Sequence, residues 1–476
     1  MKPRALVLLL TLAGCAAPAS HLALAPEHTA IPALAVSKTA NVQPLAIDRW
    51  WTLLGDPALE RLVDEALARN ADLEIALGRV HEAQATLDVV RAAQSPTLDA
   101  QARNGRSKQS AVGATPLPPG IARETSSHRF SLEAGYDVDL WGRFSSGTKA
   151  ARNQLLATEW ARTAIEWSLT ARVAETYFEL AAVDRQIAVS QAMRASRSRN
   201  VEVRRREHDA GAGSEFDLRR AEAELTSTDA TVASLGRSRA ALEHTMLLLL
   251  GRTPGEIATG ELRRVMLDEA RPLSTVLPQG AAAELLVRRP DLRQSEAELA
   301  AANYSIDAAR AATLPSVRLT GSLGSDARSM SDLFTGPAAI WSLFATVTQP
   351  LIDGGKLKAR VREEQARAEQ ALASYRKAVA GAVLDVREAY ETLDLTAQGF
   401  EAQRARVASL ERARSLAALG YDNGALSQLD LLDAERNLYQ AQLDQVSAYR
   451  DQLLGQIAAF KALGGGYTPA NTGSSL

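Results

Sequence analysis

The residues best placed to do chemistry are acids near helix starts. Asp430 and Asp433 stand close together in SQLDLLDAERNL, and Asp217 lies in a related stretch, GAGSEFDLRRAEAEL. The plain role of an acid in the first turn of a helix is to complement the dipole and cap free amides. Arg204-Arg205-Arg206 would suit an anionic partner, yet a cationic cluster at a helix C-terminus also compensates the dipole. Gly354-Gly355-Lys356 lacks the upstream glycine and the Ser/Thr of a phosphate-binding loop, and no serine stands in GxSxG context. The 6 histidines show no metal spacing. No constellation of acid, base, nucleophile or metal ligand emerges, so neither an enzyme nor a cofactor is expected. A formal charge of -2 argues against nucleic acid as a partner.

The N-terminus supplies one further reactive group. Met1, Lys2, Pro3 and Arg4 precede an apolar run from Ala5 to Leu12, the order of a secretory signal and too short to span a bilayer. Leu12-Ala13-Gly14-Cys15 then resembles the bacterial lipobox, which implies that Cys15 carries diacylglycerol and N-acyl groups as the first mature residue. Ala16 in place of Asp implies release to the outer membrane. As the chain has 1 cysteine, no intrachain disulfide can form. His21 and His28 fall in a Pro/Ala-rich stretch that suits an extended linker from the anchor.

The elements that must position these groups occur twice. Asn70-Ala71-Asp72-Leu73 is echoed by Arg289-Pro290-Asp291-Leu292, and Arg91-Ala92-Ala93 with Pro96 by Arg310-Ala311-Ala312 with Pro315, at a spacing of 219 (310 − 91). Further on, GAGSEFDLRRAEAEL lies against GALSQLDLLDAERNL at a spacing of 213 (430 − 217). Asp433 then falls opposite Arg220, which breaks the repeat.

Each half predicts a helix, two strands, a long helix, a tight turn and a returning helix. The first helix covers about residues 57–94 and stops at Pro96. Strict alternation follows, clearest in Phe130, Leu132, Ala134, Tyr136 and Val138 against Ser131, Glu133, Gly135 and Asp137. Such strands suit a half-buried soluble sheet or a tilted membrane crossing of about ten residues. The long polar loop joining each pair favours the crossing. Four strands cannot close a barrel around a lumen, so closure requires several copies of the chain. The helices are longer than a globular domain uses, about 100 Å at 1.5 Å per residue, and must bury their apolar stripes against one another. They turn at Gly211 to Ser214 and at Gly420 to Ser427.

With these stretches in view, the chain resembles the TolC-like outer-membrane efflux proteins, lipoprotein branch of the NodT and OprM type. The resemblance rests on WWTLLGDPALERLVDEALARNADLEIA from Trp50, RRPDLRQSEAELAAA from Arg288, VTQPLIDGG before Lys356, SQLDLLDAERNLYQAQ from Ser427, and KALGGGY at Lys461. It implies a membrane α+β fold: a homotrimer with an outer-membrane β-barrel of about twelve strands, four per chain, continued by a periplasmic barrel of coiled-coil hairpins. It implies a tripartite efflux pump, in which a periplasmic adaptor joins the duct to an inner-membrane pump of resistance-nodulation-division type. It also assigns roles. Asp430 and Asp433 match the aspartates that ring the periplasmic gate. Asp217 and Arg220 are further gate candidates, Arg220 as a latch to a neighbouring carboxylate or as a solvated arginine. The turns with Gly211, Gly213, Ser214, Gly424 and Ser427 are where an adaptor docks.

The expected layout is a signal peptide over 1–14, a lipid-anchored linker over 15–47, a first repeat over 48–251, an equatorial linker over 252–278, a second repeat over 279–464 and a tail over 465–476. Strands are expected at about 96–104, 129–141, 315–324 and 341–352, and helical hairpins at about 142–251 and 355–464. Two rivals stay open: the duct of a protein secretion system, and a periplasmic coiled-coil lipoprotein without a pore.

Overall fold

The computed structural model describes residues 49–110, 112, 118, 122–259 and 288–464. The signal 1–14, Cys15, the linker 15–47, the 252–278 linker beyond residue 259 and the tail 465–476 lie outside the described residues. The elements are α1 (Pro57–Arg69), α2 (Ala71–Ala92), β1 (Thr97–Lys108), β2 (Glu124–Val138), α3 (Arg143–Asp209), α4 (Glu215–Leu249), α5 (Pro254–Thr259), α6 (Pro290–Ala311), β3 (Ser316–Ala327), β4 (Ala339–Thr348), α7 (Lys356–Asp422) and α8 (Gln428–Ala462). No described helix is long and apolar enough to cross a membrane. The chain divides into two compact units. One holds Val80–Thr158 and Ser295–Tyr375, and the other holds the described residues of His28–Arg79, Glu159–Gln294 and Arg376–Leu476.

The first unit is built on an antiparallel sheet in the order β1-β2-β3-β4. Register puts Ala100, Leu132, Leu323 and Trp341 in one row across it, and Tyr136, Leu319 and Ala345 in another. Because side chains alternate, this face is apolar from the helix end of the sheet as far as Phe130, while Asp99, Gln101, Glu133, Ser131 and Ser322 share the opposite one. Phe334 meets Phe130 of this face at 6.3 Å, but most of the face is open among the described residues: Trp341 is 78% exposed and Leu343 74%. Beyond Phe130 it turns polar, with Asn104 opposite His128, and Glu124 paired to Arg106 at 2.6 Å and Lys108 at 3.2 Å. β1 and β4 are the sheet's edges.

Strand ends differ from expectation for local reasons. β1, expected to stop at about 104, runs on to Lys108, β2 starts at Glu124 rather than 129, and β3 continues to Ala327. β2 ends at Val138 because Asp139 leaves the ladder to cap α3, accepting from the amides of Phe144 at 3.1 Å and Ser145 at 2.8 Å. β4 ends at Thr348 because Pro350 cannot donate to the ladder. Asp353 then caps α7 through the Gly355 and Leu357 amides at 2.8 and 2.9 Å. Those bonds hold the Asp353 carboxyl below the usual carboxylate range. Gly354-Gly355-Lys356 is therefore a helix start, with both glycines at positive φ.

The second unit packs Trp50 and Trp51 into a core with Leu59, Val63, Val173, Tyr177, Leu250, Ile457 and Phe460. Trp50 stacks on Phe460 at 5.5 Å and donates to the Thr170 hydroxyl at 3.3 Å. Asp56 caps α1 and also accepts from the Tyr177 hydroxyl at 2.7 Å. The single helix expected over about 57–94 is instead two, broken at Asn70. Asn70 takes an extended ψ of 128. Its side chain accepts from the amides of Asp72 and Leu73 and donates to the Leu249 carbonyl at 2.9 Å. Arg289, at the matching place in the second half, donates to the Ala462 carbonyl at 3.1 Å. Each thus satisfies a carbonyl at the end of a returning helix, where no intrahelical donor remains.

Arg289 does more than cap. It is 4% exposed, bonds Asp291 and Asp385 at 2.8 Å each, and lies over the Trp167 ring. Burial works against its charge, but the two carboxylates outweigh that and raise its pKa. Gly251, at φ 65, closes the other side of the first junction: a Cβ there would sit 2.0 Å from the Arg69 carbonyl oxygen. Replacing Arg289 by Met removes its pairs with Asp291 and Asp385, leaves the Ala462 carbonyl without its donor and should cost about 3 kcal/mol, against about 1 kcal/mol for Asn70→Ala. Thermal unfolding of the detergent-solubilised protein, followed by circular dichroism, checks the order.

Candidate functional site

The candidate gate and docking residues lie at two helical turns of one construction. In the first, the amides of Ala212 and Gly213 donate to the Glu207 carbonyl at 2.8 and 3.0 Å, and Gly211 takes φ 72. In the second, the amides of Ala425 and Leu426 donate to the Gly420 carbonyl at 2.7 and 3.1 Å, and Gly424 takes φ 71. These are C-terminal helix motifs that need a residue in the left-handed region, which glycine supplies without strain. At Gly213 space decides instead, since a Cβ would meet the Glu207 Cβ at 2.9 Å. α7 runs on through Gly420 to Asp422 before turning.

The two turns differ in how they start the next helix. Ser214 accepts only from the Phe216 amide at 3.1 Å, and among the described residues Asp217 and Arg220 make no hydrogen bond or ion pair. Ser427 and Asp430 form a reciprocal capping box: the Asp430 amide donates to the Ser427 hydroxyl at 3.3 Å, and the Asp430 carboxylate accepts from the Ser427 amide at 2.9 Å and hydroxyl at 2.6 Å. The Ser427 hydroxyl, then its amide, hold the Asp430 carboxyl below the usual carboxylate range. Asp433 is 50% exposed and pairs with Arg436 one turn along its own helix at 2.7 Å. Within the chain it does not reach Arg220.

Several contacts at this end had no signal in the residue pattern. Tyr421 accepts from Arg204 at 2.8 Å, tying the end of α3 to the end of α7. Arg204 also pairs with Glu207 at 2.6 Å, Arg205 with Glu222 at 3.0 Å, and Arg206 with Glu202. The basic run is thus neutralised by acids of its own hairpin. Higher up, Ser190 and Tyr439 share a buried hydrogen bond of 2.8 Å, and Arg197 lies over the Tyr439 ring while bonding Thr228 and Glu224. α3 is therefore pinned to both helices of the second hairpin. Such polar links between elements far apart in sequence are invisible to periodicity, although Tyr421 and Tyr439 in otherwise aliphatic helices mark the places.

The profile of the outer membrane efflux protein family matches residues 62–252 and again 281–465. The chain belongs to that family. The solvent efflux pump outer membrane protein SrpC of Pseudomonas putida is 32% identical over 417 residues, 87% of this chain and 86% of that protein. Outer membrane protein OprJ of Pseudomonas aeruginosa is 32% identical over 468 residues, 97% of this chain and 95% of its own. The probable outer membrane lipoprotein SilC of Salmonella typhimurium is 29% identical over 476 residues, 96% of each chain. Among solved structures, the outer-membrane channel OprN superposes with a TM-score of 0.80 at 28% identity, covering 92% of this chain and 99% of that one. The open state of the Neisseria gonorrhoeae MtrE channel superposes with a TM-score of 0.77 at 29% identity, covering 91% and 95%. The protein is accordingly an outer-membrane efflux channel with the TolC-like fold, a transport duct and not an enzyme.

The depressed acidity of Asp430 carries a pH dependence. A carboxyl whose folded pKa lies below its unfolded value contributes stability above the unfolded pKa and loses it as pH falls through the folded one. Amides of residues 427–431 should therefore exchange faster with deuterium as pH falls into the lower carboxylate range, beyond the intrinsic pH effect. Ser427→Ala should abolish that excess, and an excess that survives the substitution would refute the capping origin.

Proposed function

We propose that three copies of this chain close their sheets into an outer-membrane barrel of about twelve strands, and that the hairpins form a periplasmic tunnel. An adaptor protein meets the tunnel tip and joins it to an inner-membrane pump of the resistance-nodulation-division class, so that small molecules leave the cell without crossing the periplasm freely. The observation that carries this reading is the sheet of a family member with a mostly uncovered apolar face and two free edges. Its apolar run along β2, from Phe130 to Val138, extends about 27 Å at about 3.4 Å per residue, in keeping with the apolar band of about 25 Å on outer-membrane barrels. An isolated sheet of this kind would leave backbone groups unbonded in lipid, and pairing β4 of one copy with β1 of the next removes the edges.

The internal two-fold repeat belongs to the same reading. Asn70 on the Leu249 carbonyl and Arg289 on the Ala462 carbonyl, with the two matching turns, support it. The layout follows: a signal over 1–14, an anchored linker over 15–47, repeats over 48–251 and 279–464 with the linker 252–278 between them, and a tail over 465–476. Cys15 carries the lipid, in line with the naming of SilC as a probable lipoprotein. Cys15→Ser should lose incorporation of labelled palmitate while its wild-type counterpart incorporates it.

The gate is the first turn of α8. Three copies place Asp430 and Asp433 around one axis, where crowded carboxylates repel one another and bind cations. Among the described residues the Asp217 side chain has no partner at the matching place of the other hairpin, and Arg220 is available to bridge to Asp433 of a neighbouring copy. The turns with Gly211, Gly213, Ser214, Gly424 and Ser427 offer the adaptor two matching docking points. Capping explains Asp430 as well, so the test must separate the roles. In planar bilayers the wild type should show a small conductance blocked by multivalent cations, and Asp430→Asn/Asp433→Asn should lose the block. Ser427→Ala, which removes the cap and keeps the charge, should retain it. Equal block in all three would remove the gate assignment.

A further inference from the structure

On the polar face of the sheet Asp137 pairs with Arg318 at 3.7 Å, but two further rows set like charges against each other. Asp99 stands directly opposite Glu133 in register, and Arg103 directly opposite Arg129. Like charges facing each other across strands destabilise a sheet. Glu133 accepts from Gln101 at 3.0 Å and from Ser131 at 3.4 Å. Among the described residues, the side chains of Arg103 and Arg129 make no hydrogen bond or ion pair, although Asp326 is next across from Arg129 in register. The uncharged row between the layers is Gln101, Ser131 and Gly324. Four residues separate acid from base on each strand, about 14 Å along it. That exceeds the Debye length of about 10 Å at 0.1 M salt, so each layer presents its own field.

We propose that this face is a two-layer ion filter in the wall of the duct, with an outer arginine layer that takes small inorganic anions and an inner carboxylate layer that takes cations. The inference rests on the trimeric barrel reading, which turns the polar face toward the lumen and multiplies each pair threefold. An anion held between Arg103 and Arg129 offsets the repulsion that the sheet otherwise carries, which is what anion-selective pores use rings of arginine for. Solutes leaving the duct pass the Asp99–Glu133 layer before the Arg103–Arg129 layer, so anionic solutes are drawn toward the exit.

The test measures reversal potentials in a potassium chloride gradient across planar bilayers holding the full-length protein. Arg103→Gln/Arg129→Gln should raise the potassium-to-chloride permeability ratio by about twofold or more at about 0.1 M salt, and the shift should fade at about 1 M, where the Debye length is about 3 Å. Asp99→Asn/Glu133→Gln should move the ratio the opposite way. Both variants relieve a like-charge pair and should unfold no earlier than wild type, whereas a merely structural role would lower both melting points and move selectivity in neither direction. If wild type conducts and neither double variant changes selectivity, the filter is wrong and the duct stands. If folded wild-type protein does not conduct at all, the barrel reading falls and the filter with it.

Discussion

An unpaired strand edge is tolerable in water and not in lipid, because hydrocarbon offers no partner to a free amide or carbonyl. This chain supplies four strands, two of them with a free edge, and an apolar face on which Trp341 and Leu343 stay mostly exposed. On the trimeric reading proposed above, the sheet is completed by further copies of the chain. The strands have to be held in a fixed register, and the ends of β2 and β4 are set by acids, Asp139 and Asp353, that leave the ladder to start the long helices. One residue therefore terminates each strand and starts the helix that follows it.

Helices of 67 residues have the opposite difficulty. Their backbone is satisfied internally, but an isolated pair has little to fix its alignment except side chains. The core around Trp50, Tyr177 and Phe460 fixes one level, and the buried Ser190–Tyr439 bond with the Arg204–Tyr421 bond fixes two more. At the far end of each returning helix, Asn70 and Arg289 reach across to a carbonyl that the helix itself cannot satisfy. The second of these is charged, nearly buried and held by two carboxylates, and so more is at stake there than at its neutral counterpart.

The same division between structural and electrostatic roles recurs at the charged residues. Arg204, Arg205 and Arg206 are spent on acids of their own hairpin, so the most basic run in the sequence leaves little net charge for a partner. Asp430 is occupied with Ser427, and Asp433 with Arg436, while the side chains of Asp217 and Arg220 remain unengaged among the described residues. On the sheet, Arg103 and Arg129 face each other with no acid bonded to either.

Sequence alone determined the element order, the four alternating strands, the two hairpins and their turning points, because these depend on local periodicity and on glycine and proline at fixed places. Family membership was legible too, since five separated motifs occur in order. The break at Asn70 was missed because the residue satisfies the ends of two helices at once, which alternation and heptad counting do not register. Strand ends were misplaced by up to five residues because side-chain caps at Asp139 and loop pairing beyond Arg103 decide them, rather than hydrophobicity. Only the tertiary structure decided that Arg289 is a buried capping arginine, that Tyr421 and Tyr439 tie one hairpin to the other, and that acids face acids and arginines face arginines on the sheet. Those facts depend on which residues meet across 12 or more positions of chain, and register between distant segments is set by packing that no local pattern encodes.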